Sequence, residues 1–256
     1  MTVVPVAHAS LDRNDPARTG HDIMQSEAFR KALTETFVVV PAYNEGRVIR
    51  DVITGLSSDF PNIIVVNDGS SDDTAAVLAD LPVIVVKHPI NLGQGAALQT
   101  GITFALERGA NHIITFDADG QHRLEDALSA LRMLIEGQCD VVCGSRFLGT
   151  TSNVPRIRKI ILKTVVGLAN LTAGTKMTDA HNGLRALSRK AASCLDITQS
   201  GMAHASEIMS QLKLHKMSIR EVPVQINYTE YSLAKGQSSL NSINILVDLV
   251  IGRFLK

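Results

Sequence analysis

The chain has 256 residues, 45% hydrophobic and 20% charged, enough apolar material for a full core in one large domain or two fused lobes. Its 25 basic and 25 acidic residues cancel, which excludes bulk attraction to nucleic acid and makes any anion-binding surface a local feature. Three cysteines, Cys139, Cys143 and Cys194, form neither a CxxC pair nor an even disulfide set, which predicts reduced thiols in a cytoplasmic protein.

Residues 1–34 are a polar extension with Asp, Arg and His throughout, and they read as a tail ending in a short helix rather than as a secretory signal. No window reaches the ~18 uncharged apolar residues of a spanning helix. From Phe37 onward, β-branched runs ("FVVVPAYNE", "NIIVVNDGSSDDT", "PVIVVKH", "HIITFDADG", "CDVVCGSR") alternate with segments of helical spacing. Continuous Val/Ile runs of this kind belong to parallel strands buried on both faces, so an α/β unit with a mostly parallel central sheet flanked by helices is expected over residues 35–150. Beyond 150 the strand rhythm stops. Residues 151–256 hold a helical segment "RIRKIILKTVVGLANLTAG", the stretch "TDAHNGLRALS", a helix around 202–215, a strand "IREVPVQINY" and a last helix from about 239.

Ligands of open α/β sheets bind beyond the carboxyl ends of the strands, and here each run ends in polar or glycine-rich residues. In "ITFDADGQH", Asp117 and Asp119 leave a buried strand one residue apart; either they close it as a solvated turn, or they repel unless a cation or a proton comes between them. Hard oxygen ligands suit Mg²⁺ or Mn²⁺; Gly120 lets the backbone turn around the ion, and Gln121 or His122 completes the shell. In "NDGSSDDT", Ser70 to Thr74 read as the cap of the next helix, while Asp68 precedes the cap and is placed to accept from the imide edge of a base. "NLGQGAALQTG" puts Gln94 and its glycines at a helix N-terminus, an anion site by its free amides, and it matches neither a dinucleotide fingerprint nor a Walker loop. Arg146, closing "CGSR", reads either as a surface arginine or as a guanidinium that faces the same crevice and suits phosphate oxygens.

The ordered set "VVVPAYNEGRVI", "IIVVNDGSSDDT", "NLGQGAALQTG", "FDADGQH" and "CGSRF" resembles the family 2 glycosyltransferases of the A-type fold. With "TDAHNGLRALS", "EVPVQINY" and "GQSS", the chain looks most like their polyprenyl-phosphate branch, which includes the dolichyl-phosphate mannose synthases, over about residues 36–240. The resemblance implies a nucleoside pocket lined by Pro41, Ala42, Tyr43 and Glu45, with Asp68 reading the base and Ala118 and Gln94 beside the nucleotide. It implies that Asp117 lies by the ribose and metal, that Asp119 and Gln121 hold the metal against the donor diphosphate, that Arg146 neutralises phosphate charge, and that Asp179 lies near the sugar or acceptor. Two positions depart from the family pattern: Gln94, where many relatives are basic, and Ser239, where many have lysine.

The implied reaction is an inverting single displacement from a nucleotide sugar, with uridine favoured over guanosine. A polyprenyl phosphate acceptor is already anionic, whereas a glycan hydroxyl needs a general base, for which Asp179 is the candidate. Arg156, Arg158, Lys159 and Lys163 among the spaced apolar residues of 156–171 make a basic amphipathic helix, and 240–254 carries a second apolar stripe. Both suit a membrane surface and a lipid phosphate, or packing on the sheet or on a second subunit of a homodimer. His204 and Glu207, one helical turn apart, read either as a metal or acid/base pair or as hydrogen-bonded partners beside the acceptor groove; His181 shares the ambiguity of Asp179. Three functions are thus open: transfer to polyprenyl phosphate at the membrane periphery, extension of a cell-surface glycan on a hydroxyl, and non-catalytic binding of a nucleotide sugar. The intact Asp117, Asp119, Gln121 and Arg146 argue against the last. A nucleotidyltransferase fits less well, because no basic glycine-rich loop opens the first strand.

Overall fold

A computed structural model describes residues 27–137, 139–148, 177–179, 182–201 and 203–227. The expected basic helix at 156–171, the last helix from about 239, His181 and the "GQSS" stretch lie outside the described residues.

The first described element is α1 (Glu27–Thr34), the short helix expected at the end of the polar extension. It then alternates β1 (Thr36–Ala42), α2 (Ile49–Leu56), β2 (Asn62–Asn67), α3 (Thr74–Ala79), β3 (Ile84–Lys87), α4 (Gln94–Glu107), β4 (His112–Thr115), α5 (Leu124–Glu136) and β5 (Val141–Ser145). After the gap come β6 (Arg185–Ser188), α6 (Arg189–Ala192), α7 (His204–Leu214) and β7 (Ile219–Pro223). The seven strands form one sheet in the order β3-β2-β1-β4-β6-β5-β7, parallel throughout except for β6, which is antiparallel to both neighbours.

Burial on both faces explains the apolar runs. Along β1, Val38, Val40 and Ala42 enter one core with α2 and α5, while Phe37 and Val39 enter the other with α4, α6 and α7. A strand with a helix layer on each side has no solvent face, so its sequence does not alternate. At the edge, β3 is only half buried and Val85 is 42% exposed.

Strands from both sequence segments share this sheet. β6 was not foreseen, because four residues beginning with arginine carry no strand pattern; it slots between β4 and β5, pairing Thr115 and Cys143 with Arg185. The three cysteines are free thiols, and burial raises Cys143 to about 11. Among the described residues no helix is long and apolar enough to cross a membrane.

The topology makes a measurable contrast between centre and edge. Ile64→Ala, at a fully buried site on β2, should cost about 2–4 kcal/mol in urea unfolding, and Val85→Ala on β3 less than about 1 kcal/mol.

Candidate active site

The loops at the carboxyl ends of the strands are fastened to one another. After β1, the backbone amides of Asn44, Glu45 and Gly46 donate to Ser70 Oγ (3.0 Å), Thr74 Oγ1 (2.8 Å) and Asp72 Oδ2 (3.0 Å). Asn44 Oδ1 accepts in return from the Ser71 amide at 2.8 Å, and Asn44 takes the left-handed backbone that asparagine tolerates, with φ 54°. The Ser70–Thr74 cluster expected as a helix cap therefore does two jobs: Asp72 Oδ1 accepts from the Thr74 amide, and the rest clamps the neighbouring loop. Tyr43 stands 42% exposed at this rim and Glu45 is buried beneath it, while Pro41 and Ala42 are buried within the end of β1.

Asp68 was expected to face a base. The structure buries it to 3% exposure and surrounds it with donors: His88 Nδ1 lies 2.7 Å and the Leu92 amide 2.9 Å from Oδ1, and the Gly93 amide 2.8 Å from Oδ2. His88 is braced in turn by Thr100 Oγ1 at 3.0 Å from Nε2. Asp68 thus ties β2 to the turn that begins α4. His88 was not singled out in the sequence, where "VKHPIN" looks like an ordinary strand end.

The two carboxylates of "DADGQH" have unlike surroundings. Asp117 Oδ1 accepts from Gln94 Nε2 at 3.1 Å, and Oδ2 lies 3.2 Å from His122 Nε2. Burial pushes the Asp117 carboxyl up, but the His122 hydrogen bond and charge, with the Arg185 guanidinium, outweigh it and hold the group below the ordinary carboxylate range. Burial and then the Asp117 charge push Asp119 up to about 6, against the hydrogen bond that Oδ1 accepts from the Gln121 amide at 3.0 Å. The His122 charge also opposes the shift, but it ranks below burial and the Asp117 charge. Gly120 supplies the turn with φ 74°, and the Gln121 carbonyl accepts from the Asn227 amide at 2.9 Å, which anchors the loop to the segment after β7.

Oxygen donors with a deficit of positive charge fit a hard divalent cation. Among the described residues no group of three or more His, Cys, Asp or Glu side chains is arranged to enclose a metal ion.

Arg146 and Asp179 meet each other rather than standing apart along the crevice. Arg146 Nε and Nη2 donate to Asp179 Oδ2 (2.7 Å) and Oδ1 (2.8 Å), and the Arg146 amide adds a third bond at 3.1 Å. Asp179 is 1% exposed, and its segment is pinned by Glu221 on β7, which accepts from the Thr178 and Asp179 amides. Glu221 was also missed, since a lone glutamate in an exposed strand gives no signal. His204 and Glu207 are not hydrogen-bonded partners. His204 Nδ1 lies 2.8 Å from the Gly201 carbonyl, whereas Glu207 accepts from the Thr198 and Gln199 amides. Burial holds His204 below its ordinary value; Arg185, 2% exposed on β6, adds to that and stands on the Asp117 side of the site, unmarked by the sequence.

The Asp119 shift has a definite pH signature. A carboxyl with an ordinary value of 3.8, raised to about 6 in the fold, favours the folded state in full below pH 3.8 and loses that contribution as pH rises through about 6. Asp119→Asn has no proton to lose. In melts with chelator its stability should gain on the native protein as pH rises from about 4 to 7 and level off above; a difference flat in pH contradicts the raised carboxyl.

Comparison with known proteins places this geometry in a family. The profile of "Glycosyl transferase family 2" matches residues 37–196. The chain is 32% identical over 237 residues to the UDP-N-acetylglucosamine dolichyl-phosphate N-acetylglucosaminyltransferase of Methanococcus voltae, covering 84% of this chain and 94% of that one. It is 31% identical over 223 residues to the polyprenol monophosphomannose synthase of Mycolicibacterium smegmatis, covering 82% of each. Among solved structures, the glucosyl-3-phosphoglycerate synthase of Mycobacterium tuberculosis in complex with Mn²⁺ and UDP-glucose has a TM-score of 0.62 over 80% of this chain and 76% of that one, with 22% identity, and shares the fold. The strand-end carboxylates, the mostly parallel sheet and a profile match over most of the described residues lead to one conclusion: the chain belongs to glycosyl transferase family 2.

Proposed function

We propose that this glycosyltransferase moves a hexose, or a derivative of one, from a nucleoside diphosphate donor to a polyprenyl phosphate, inverting the anomeric centre in one displacement. A uridine donor is preferred to a guanosine one, and the protein works on the cytoplasmic side, at the membrane surface. The observation behind the reading is the unequal pair at the end of β4: against burial, His122 and Arg185 hold Asp117 low, whereas burial and the Asp117 charge raise Asp119. A partly buried carboxylate raised by its neighbour gains from a cation that arrives with its substrate.

Bound Mg²⁺ or Mn²⁺ would stabilise the charge that develops on the departing diphosphate. Asp119 and Asp117 would hold that ion, with the Gln121 amide and His122 fixing the two carboxylates. Arg146, oriented by its two-pronged grip on Asp179, would set positive charge at the phosphate side of the crevice. Tyr43 and Glu45 would border the nucleoside, and the Asp68 network would fix the Leu92–Gly93 turn against it.

The choice of acceptor rests on Asp179. A carboxylate with both oxygens held by a guanidinium, at 1% exposure, is a weak base for a sugar hydroxyl. An acceptor phosphate needs no base, only orientation and positive surroundings. The names of the Methanococcus voltae and Mycolicibacterium smegmatis relatives, a dolichyl-phosphate transferase and a polyprenol monophosphomannose synthase, support the same acceptor class.

The test incubates the full chain with labelled UDP- and GDP-sugars, Mn²⁺ or Mg²⁺ and polyprenyl phosphate, and counts label extracted into organic solvent. Label should enter the lipid phase, vanish with chelator and fall by on the order of 10²–10³-fold or more in Asp119→Ala, with the fold retained. Donor consumption without lipid product would replace the phosphate acceptor by a glycan hydroxyl. No metal-dependent turnover of any donor would leave a binding module and sink the transferase reading.

A further inference from the structure

Asp117 lies against Gly183, two residues before β6. A Cβ placed on Gly183 would stand 1.9 Å from Asp117 Oδ2 and 2.4 Å from both Cγ and Oδ1, whereas non-bonded heavy atoms settle at about 3.5–4.0 Å. The backbone of Gly183 is not in the left-handed region that favours glycine, so space alone demands the missing side chain. The neighbouring backbone is held on several sides. Thr115 Oγ1 donates to the Gly183 carbonyl at 2.6 Å, Asn182 Oδ1 accepts from the Leu184 amide at 2.9 Å, and Arg185 is in register with Thr115 across the β4–β6 ladder.

Asp117 therefore sits in a seat with three fixed sides: Gln94 Nε2 at one oxygen, His122 Nε2 at the other and the bare Cα of Gly183 beneath. The seat joins distant parts of the chain, since Gly183 belongs to the antiparallel β6 arm and Asp117 to the end of β4. We propose that Gly183 is a positioning residue for the Asp117 carboxylate, the absence of a side chain allowing it to rest against β6 beside Asp119. The use of that orientation for a donor-bound cation rests on the transferase reading; the seat itself does not.

A double-mutant cycle separates the two. Gly183→Ala, Asp117→Ala and the double variant are melted as full chains in chelator, and Mn²⁺ binding in the presence of UDP is titrated by electron paramagnetic resonance. Gly183→Ala alone should lower the melting temperature by roughly 3–10 °C, as overpacking does. In the Asp117→Ala background the same change should cost less than about 1 °C, because the atoms it strikes are gone. Mn²⁺ affinity in Gly183→Ala should fall about tenfold or more, as for other residues that orient a ligand.

Equal melting losses in both backgrounds overturn the proposal, as does Mn²⁺ affinity within about twofold of native in a folded Gly183→Ala. If Gly183→Ala does not fold, Thr115→Val releases the Gly183 carbonyl at nearly constant volume. It should weaken Mn²⁺ about threefold to tenfold, and native affinity there overturns the proposal. A native chain that binds no Mn²⁺ with UDP would sink the metal-dependent reading, while the melting cycle, free of metal and donor, still decides the seat.

Discussion

Two carboxylates leave the same buried strand one residue apart, and their surroundings set their charge states apart. Asp117 lies among His122, Gln94 and Arg185, whereas Asp119 receives the Gln121 amide and feels the repulsion of Asp117. Burying a charge is costly unless it is paired and hydrogen-bonded. Much of the surrounding architecture serves to keep the first carboxylate matched and the second available: the antiparallel β6 that delivers Arg185, the helix start that delivers Gln94, and the turn that returns His122 to the end of β4.

A second theme is how the crevice is stiffened. Loops at the ends of parallel strands have no ladder to hold them, and their backbone amides need partners. Side chains from neighbouring loops meet that need. Ser70, Asp72 and Thr74 serve the loop after β1, Asp68 serves the turn before α4, and Glu221 serves the segment that brings Asp179 to Arg146. These acidic and hydroxyl groups fix the shape of the loops, and such preorganisation is where much of the rate enhancement of a positioned electrostatic site originates.

This sharing of duties explains where residue-by-residue reading falls short. The protein partners of Asp68, Asp179, Arg146 and Glu207 could not be read in the sequence, because a charged residue at a strand end or on a helix face looks the same whatever it touches. In the fold, Glu207 caps the Thr198–Gln199 backbone, Asp68 binds two amides and a histidine, and Arg146 and Asp179 hold each other. His88, Glu221 and Arg185 carried no mark, since each gains its meaning from a partner at least 20 residues away in sequence or across the sheet.

The α/β class, the strands β1 to β5 and β7 and the family were legible in the sequence, because burial on both faces demands uninterrupted apolar runs and strand exits collect polar residues. Tertiary structure decided the rest. It placed the four-residue β6 between β4 and β5, made the two carboxylates of one motif electrostatically different, paired Arg146 with Asp179 and seated Asp117 on Gly183. Periodicity reports what a residue does relative to its own strand or helix. Pairing, burial of charge and steric clearance depend on distances between residues far apart in the chain, which the fold alone sets.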